Sequence, residues 1–203
     1  MSRRVKFIII LSVLNSFIFA QVLFEEGFVG GNQPTGWSFS GNWQVDSSGY
    51  DGHQVGNPPP GAFFYWNPAQ SNYSFRMTTP NISVGNAEQV KVFFDMELDF
   101  YAANPNADEG LAIEYRVAGS NNWLEVLNYR VEPGVYADFP LSTQSFLASV
   151  SDSIQLGFRA YGLNSYYINS WDIDNVKVKN IPHLIDVTIT SNNQIKLKIS
   201  IMN

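Results

Sequence analysis

Lys91-Val92-Phe93-Phe94-Asp95-Met96-Glu97-Leu98-Asp99-Phe100-Tyr101 (KVFFDMELDFY) sorts its side chains two ways. Val92, Phe94, Met96, Leu98 and Phe100 fall on one face, and Lys91, Phe93, Asp95, Glu97 and Asp99 on the other. Successive strand residues point to opposite faces, whereas a helix would scatter these residues around its axis. The stretch therefore predicts a strand with one dry face and one wet face. The same period returns at residues 111–117, with Leu111, Ile113, Tyr115 and Val117 inward and Glu114 and Arg116 outward. It returns again at 154–160, with Ile154, Leu156, Phe158 and Ala160 inward and Gln155 and Arg159 outward. Turn residues separate the runs: Asn104-Pro105-Asn106, Gly119-Ser120-Asn121-Asn122, Glu132-Pro133-Gly134 and Gly162-Leu163-Asn164. Only residues 143–150 read as one turn of helix near a strand end. Many short alternating strands predict an all-β fold, an antiparallel β-sandwich of the jelly-roll kind.

Composition agrees. Fifteen Phe, ten Tyr and five Trp in 203 residues favour strands over helices. No cysteine is present, so no disulfide braces the fold. That leans towards a bacterial source and towards another staple, such as a metal. Residues 32–69 are rich in Gly, Pro, Asn and Trp, with weak alternation. They read as strands interrupted by long loops, among them Gly56-Asn57-Pro58-Pro59-Pro60-Gly61.

The N-terminus carries Ser2-Arg3-Arg4-Val5-Lys6, then FIIILSVLNSFIFA at 7–20 without a charge. The run is shorter than the roughly 20 residues that cross a bilayer. A basic start, a short apolar middle and a closing Ala20 predict a signal peptide over residues 1–20, with Gln21 as the first mature residue. No later stretch is long enough to span, so no transmembrane anchor is expected. Losing Arg3, Arg4 and Lys6 leaves nine basic residues against eighteen acidic ones, a formal charge of about −9. Such a surface disfavours nucleic acid and anionic membrane as partners and is compatible with divalent cations. One domain is expected over residues 21–180. Beyond it, residues 187–190 and 195–199 read as a hairpin around Ser191-Asn192-Asn193-Gln194. It either packs on the main domain or, as a 181–203 segment, opens a further one.

Several motifs resemble a known family. Phe24-Glu25-Glu26-Gly27-Phe28, Pro34-Thr35-Gly36-Trp37 and Asn42-Trp43 resemble the opening of MAM-like jelly-roll domains. The bacterial cleaved-adhesin and choice-of-anchor domains are similar. Residues 76–84 (RMTTPNISV) look like the family's L-x-T-P-x-I strand, and Asp172-Ile173-Asp174-Asn175-Val176-Lys177-Val178 like its closing I-D-D-V-x-V strand. The match runs over residues 22–179. It departs from the family in lacking the cysteines of animal MAM domains and in carrying Asn175 for the second Asp.

The resemblance implies a secreted or cell-surface adhesion or carbohydrate-binding module. Such a module is non-catalytic and takes a glycan or an extracellular protein as ligand. The resemblance also implies a structural calcium ion held by Glu25 or Glu26, by Asp51 or Asp46, and by Asp174. Strand parity favours Glu26, which shares a face with Phe24 and Phe28. A fibronectin-type domain often follows in the family, and residues 181–199 would suit its first strands, cut short. The main alternative is an ancillary domain of a secreted hydrolase whose catalytic part lies elsewhere. A third is a purely structural element of a surface layer.

Sugars stack on exposed rings and bond to amides and carboxylates. The candidates are Tyr65 and Trp66 after the Pro-rich loop, Tyr101 beside Asn104, and Tyr166 and Tyr167 beside Asn169. Trp37, Trp43 and Trp171 stand at the family's framework positions, and the resemblance implies that they are core residues. The Asp95, Glu97, Asp99 stripe has a spacing that two glycosidase carboxylates could share. A charge ladder with Glu114, Arg116 and Arg159 on neighbouring strands is the simpler expectation. His53 and His183 lie in no zinc-ligand spacing, and no Gly-x-Ser-x-Gly elbow or phosphate loop occurs. No enzyme is expected.

Overall fold

The computed structural model describes residues 20–117, 119–135 and 139–181, and the backbone of 184–189 and 195–200. Residues 1–19, where the signal peptide is expected, lie outside the described residues. In chain order the strands are β1 (Val22–Glu26), β2 (Ser38–Phe39), β3 (Trp43–Asp46), β4 (Gly61–Tyr65), β5 (Ser71–Thr78) and β6 (Ile82–Gly85). There follow β7 (Gln89–Phe100), β8 (Glu109–Val117), β9 (Leu124–Val131), β10 (Phe139–Ser149), β11 (Asp152–Asn164) and β12 (Ile168–Asn180).

They form two six-stranded antiparallel sheets, the jelly-roll sandwich that the alternation calls for. The first runs β10-β7-β12-β4-β3, with β1 beside the far half of β12. The second runs β2-β5-β11-β8-β9, with β6 beside β11. The compact unit covers Gln21–Ile181. Separately, β13 (Leu184–Ile189) pairs with β14 (Ile195–Ser200) as a two-stranded sheet of its own.

The core lies between the sheets. Val92, Phe94, Met96, Leu98 and Phe100 of β7 face Leu111, Ile113, Ile154, Leu156, Phe158 and Ala160 across it, all buried. Phe94 and Phe158 meet edge to face at 5.5 Å, a favoured geometry for two quadrupoles. Trp37, Trp43 and Trp171 are buried as expected.

Residues 143–150 differ from the expected helical turn. All but Val150 belong to β10, an edge strand paired with β7 from Phe139 to Ser149. Gln144, Phe146 and Ala148 turn inward while Thr143, Ser145 and Leu147 turn out. An alternation this polar on both faces is faint in the sequence, and Pro140 is tolerated because the strand lies at the sheet's edge.

Candidate functional site

Parity places Asp95, Glu97 and Asp99 of β7 on the outer face of the first sheet. The pairing with β12 sets Asp172 opposite Glu97 and Asp174 opposite Asp95. Like charges directly opposed on a sheet destabilise it, so each carboxylate needs a partner. Asp95 accepts from Thr143 Oγ1 at 2.6 Å and from Asn175 Nδ2 at 2.9 Å. Asp99 accepts from Asn169 Nδ2 at 3.1 Å. Asp174 accepts the backbone N–H groups of Asn57 and Asn175 at 2.6 and 2.7 Å.

The expected ladder of this stripe with Glu114, Arg116 and Arg159 does not form. Those residues lie on the second sheet, where Glu114 is gripped by Arg76 and Arg159 and Arg116 bonds Gln155. Parity gives each strand two faces but does not say which strands share a sheet.

The Gly-Pro loop covers the carboxylate face. A single 3-10 turn at Tyr50–Gly52 and a bridge between Ser48 and Gln54 fold the loop back on itself. Gly56, at φ +92, is where only glycine fits: a Cβ there would meet the backbone of Gly61 at 2.7 Å. The fold presents His53 to the sheet. Its Nε2 lies 2.9 Å from Asp172 Oδ2 and 3.8 Å from Glu97 Oε2, and its Nδ1 lies 4.0 Å from Asp99 Oδ2. The hydrogen bond to Asp172 raises the imidazolium pKa from 6.5 to about 9. Burial opposes the shift, and the charges of Asp172, Asp99 and Glu97 add to it. Histidine 53 was outside every sequence motif, and only the fold brings it across 119 residues to Asp172.

The second feature is an aromatic cleft at one end of the sandwich. Tyr50 from the loop, Trp66 after β4, Tyr101 after β7, and Tyr166 and Asn169 around the start of β12 line it. About 300 Å3 of empty space lies among these residues, open solvent included. Tyr166 meets Trp66 at 5.5 Å and Tyr101 at 5.4 Å, and Tyr50 meets Trp66 at 6.3 Å. The walls are braced from behind. Ser165 Oγ donates to the Trp66 carbonyl, and the Gln70 N–H donates to the same hydroxyl, both at 2.8 Å. Tyr50, Tyr101 and Tyr166 remain 43, 48 and 46 % exposed. Trp66 Nε1 is buried with no hydrogen-bond partner.

The residues named from sequence divide clearly. Trp66, Tyr101 and Tyr166 come together in the cleft. Tyr65 does not line it and packs between Phe63 and Trp66. Tyr167 packs against the core. Tyr50 was missed, since a lone tyrosine in a loop carries no signal of its own. Of the carboxylates, Glu25 is exposed and ion-paired with Lys177. Glu26 accepts the Phe28 N–H at 2.7 Å and lies near enough to Asp174 to act on its charge. Asp46 is exposed and caps Ser47, and Asp51 is exposed on the 3-10 turn. Among the described residues, His53, Glu97 and Asp172 are the group of three His, Asp or Glu whose ligand atoms lie within 4.8 Å of one another.

No family model and no curated protein matches the sequence. Among solved structures, the chain is similar to the K3 cleaved adhesin domain of Lys-gingipain from Porphyromonas gingivalis. The TM-score is 0.59 at 16% identity, over 79% of this chain and 100% of that one. The K1 cleaved adhesin domain of the same protein gives 0.57 at 15%, over 77% and 97%. The CBM22-1 xylan-binding domain of Paenibacillus barcinonensis Xyn10C gives 0.43 at 14%, over 79% and 95%. The adhesin domains share the fold of this chain. Among the described residues, no helix is long and apolar enough to cross a membrane.

Proposed function

We propose that the chain is a non-catalytic glycan-binding module of the MAM-like, cleaved-adhesin kind, exported by residues 1–20 and working at or beyond the cell surface. Residues 21–180 make the module. The observation that carries the reading is the cleft, where exposed Tyr50, Tyr101 and Tyr166 surround Trp66 and the Asn169 amide. Rings offer apolar faces to a sugar's C–H surface, while the amide and phenols bond its hydroxyls. Two cleaved adhesin domains of the same fold accord with it. Trp66→Ala and Tyr166→Ala should each weaken glycan binding roughly tenfold, a loss of about 1.4 kcal/mol. A glycan array followed by calorimetry on the best ligand reads this. A silent array, or affinity unchanged in both variants, would sink the reading.

Calcium is the second part of the proposal. Of the carboxylates that the family resemblance points to, Glu26, paired with Val176 at the end of β1, is the one whose charge acts on Asp174. Burial raises the Asp174 pKa, and the charges of Asp95 and Glu26 push it further. A calcium ion would relieve that repulsion and tie the first strand to the last. The melting midpoint should rise with calcium, fall back with a chelator, and stop responding in Glu26→Gln. A midpoint indifferent to calcium in the unaltered chain overturns this part alone.

A further inference from the structure

We propose that His53, Glu97 and Asp172 form a binding site for a borderline divalent transition-metal ion, zinc in the first instance, separate from the calcium position and from the aromatic cleft. The three residues come from the covering loop, the middle of β7 and the middle of β12, and one nitrogen and two oxygens converge.

The distances suit the ion. Zinc bonds of about 2.0–2.2 Å in a tetrahedron set neighbouring ligand atoms roughly 3.3–3.5 Å apart. Here His53 Nε2 stands 2.9 Å from Asp172 Oδ2 and 3.8 Å from Glu97 Oε2. The two values bracket the ideal, and adjustments of about half an ångström reach it. The ion takes the place of the proton between imidazole and carboxylate.

A second observation is independent of the clustering. Asp172 is 3% exposed, and its Oδ1 has no hydrogen-bond partner. An ionised carboxylate buried this deeply is costly, and a divalent ion on Oδ2 offsets that cost more fully than the single charge of the His53 imidazolium. The surroundings also have the form of a metal's outer shell. Metal-bound histidines commonly hand their other ring nitrogen to a carboxylate that is itself held. His53 Nδ1 stands 4.0 Å from Asp99 Oδ2, a gap that a small turn of the ring on metal binding would close to a hydrogen bond, and Asp99 is held by Asn169. An open groove lined by His53, Glu97, Gly56, Asn57, Pro59 and Leu141 gives a way in and leaves the fourth position to water.

The donor set distinguishes this ion from calcium. Calcium takes six to eight oxygens, whereas a site of one imidazole and two carboxylates suits zinc and its neighbours. The consequence for the fold is a clasp. The loop that carries Tyr50 would be pinned to the sheet three residues further on, at His53.

The test uses the full chain, without glycan. Cobalt(II) serves as the coloured probe and zinc is titrated by calorimetry. One zinc per chain and visible d–d absorption of bound cobalt are expected. His53→Ala and Glu97→Gln should each weaken zinc by at least about tenfold and abolish the cobalt band. Asp99→Asn, a positioning change, should weaken zinc by roughly 10–100-fold. Glu132→Gln, at an exposed carboxylate remote from the loop, should leave both readouts unaltered. If His53→Ala fails to fold by circular dichroism, Glu97→Gln decides, because its side chain sits at the groove. An absent cobalt band in the unaltered chain, or zinc affinity unchanged in Glu97→Gln, overturns the proposal.

Discussion

Asn175 shows how much one side chain can decide. It sits at φ 50, where the pairing of β12 with β7 slips between Asp174 and Lys177. Asparagine tolerates this left-handed conformation better than most residues. Its Nδ2 donates to the Asn57 carbonyl at 2.7 Å and to Asp95 Oδ2 at 2.9 Å. The amide thus holds the covering loop and neutralises one oxygen of the carboxylate stripe. An aspartate, the residue of the family motif, could not donate either bond and would add a charge beside Asp95. Asn175→Asp should lower stability by about 2–4 kcal/mol near neutral pH and by less in acid, where the new carboxyl is protonated. Denaturant midpoints at the two pH values read this, and an unchanged midpoint at neutral pH would refute the role. The departure from the motif was visible in the sequence. Its purpose was not, because both acceptors belong to distant segments.

At the scale of elements, Glu109 joins three strands of the second sheet. It opens β8 and is fully buried. The Tyr73 hydroxyl of β5 donates to its Oε2, and the Asn164 N–H at the end of β11 donates to its Oε1 at 2.8 Å. Gly162 leaves the space, since a Cβ there would collide with the Glu109 carboxylate. Burial pushes the Glu109 pKa above its ordinary 4.5, although its hydrogen bonds pull the other way. A carboxyl with a raised folded-state pKa binds protons more tightly when folded. Its contribution is therefore whole below 4.5 and is lost as pH rises through the folded-state value. The stability gap between the unaltered chain and Glu109→Gln should move in the variant's favour as pH rises from about 4 to about 8. Unfolding of both proteins at several pH values measures the gap, and a gap independent of pH would refute the shift. Parity marked the odd positions of β8 as dry. It expected Glu114 to be wet, yet Glu114 is buried beneath Arg76 and Arg159. Gly157, paired with Glu114 across the strands, is what lets Arg76 and Trp123 close over it.

For the whole molecule, what is local and periodic was legible. The alternation of β7, β8 and β11 determined their faces, and the absence of helix-forming stretches determined an all-β sandwich. The family resemblance placed the three tryptophans in the core, and Trp66, Tyr101 and Tyr166 stood among the candidate rings, but that they meet in one cleft with Tyr50 was not legible in the chain. Nor was the polar edge strand β10, because neither of its faces is apolar enough to show a period. Tertiary structure alone decided which carboxylates meet. Parity says that Asp95, Glu97 and Asp99 share a face, but the choice of β12 as their neighbour comes from long-range pairing. That pairing set Asp172 and Asp174 against the stripe, a like-charge contact that no single strand reveals. The loop then had to bring His53, Asn57 and Tyr50 to the places where charge and aromatic surface were waiting. Side-chain periodicity is written in the chain, whereas the meeting of distant charges depends on which backbones exchange hydrogen bonds.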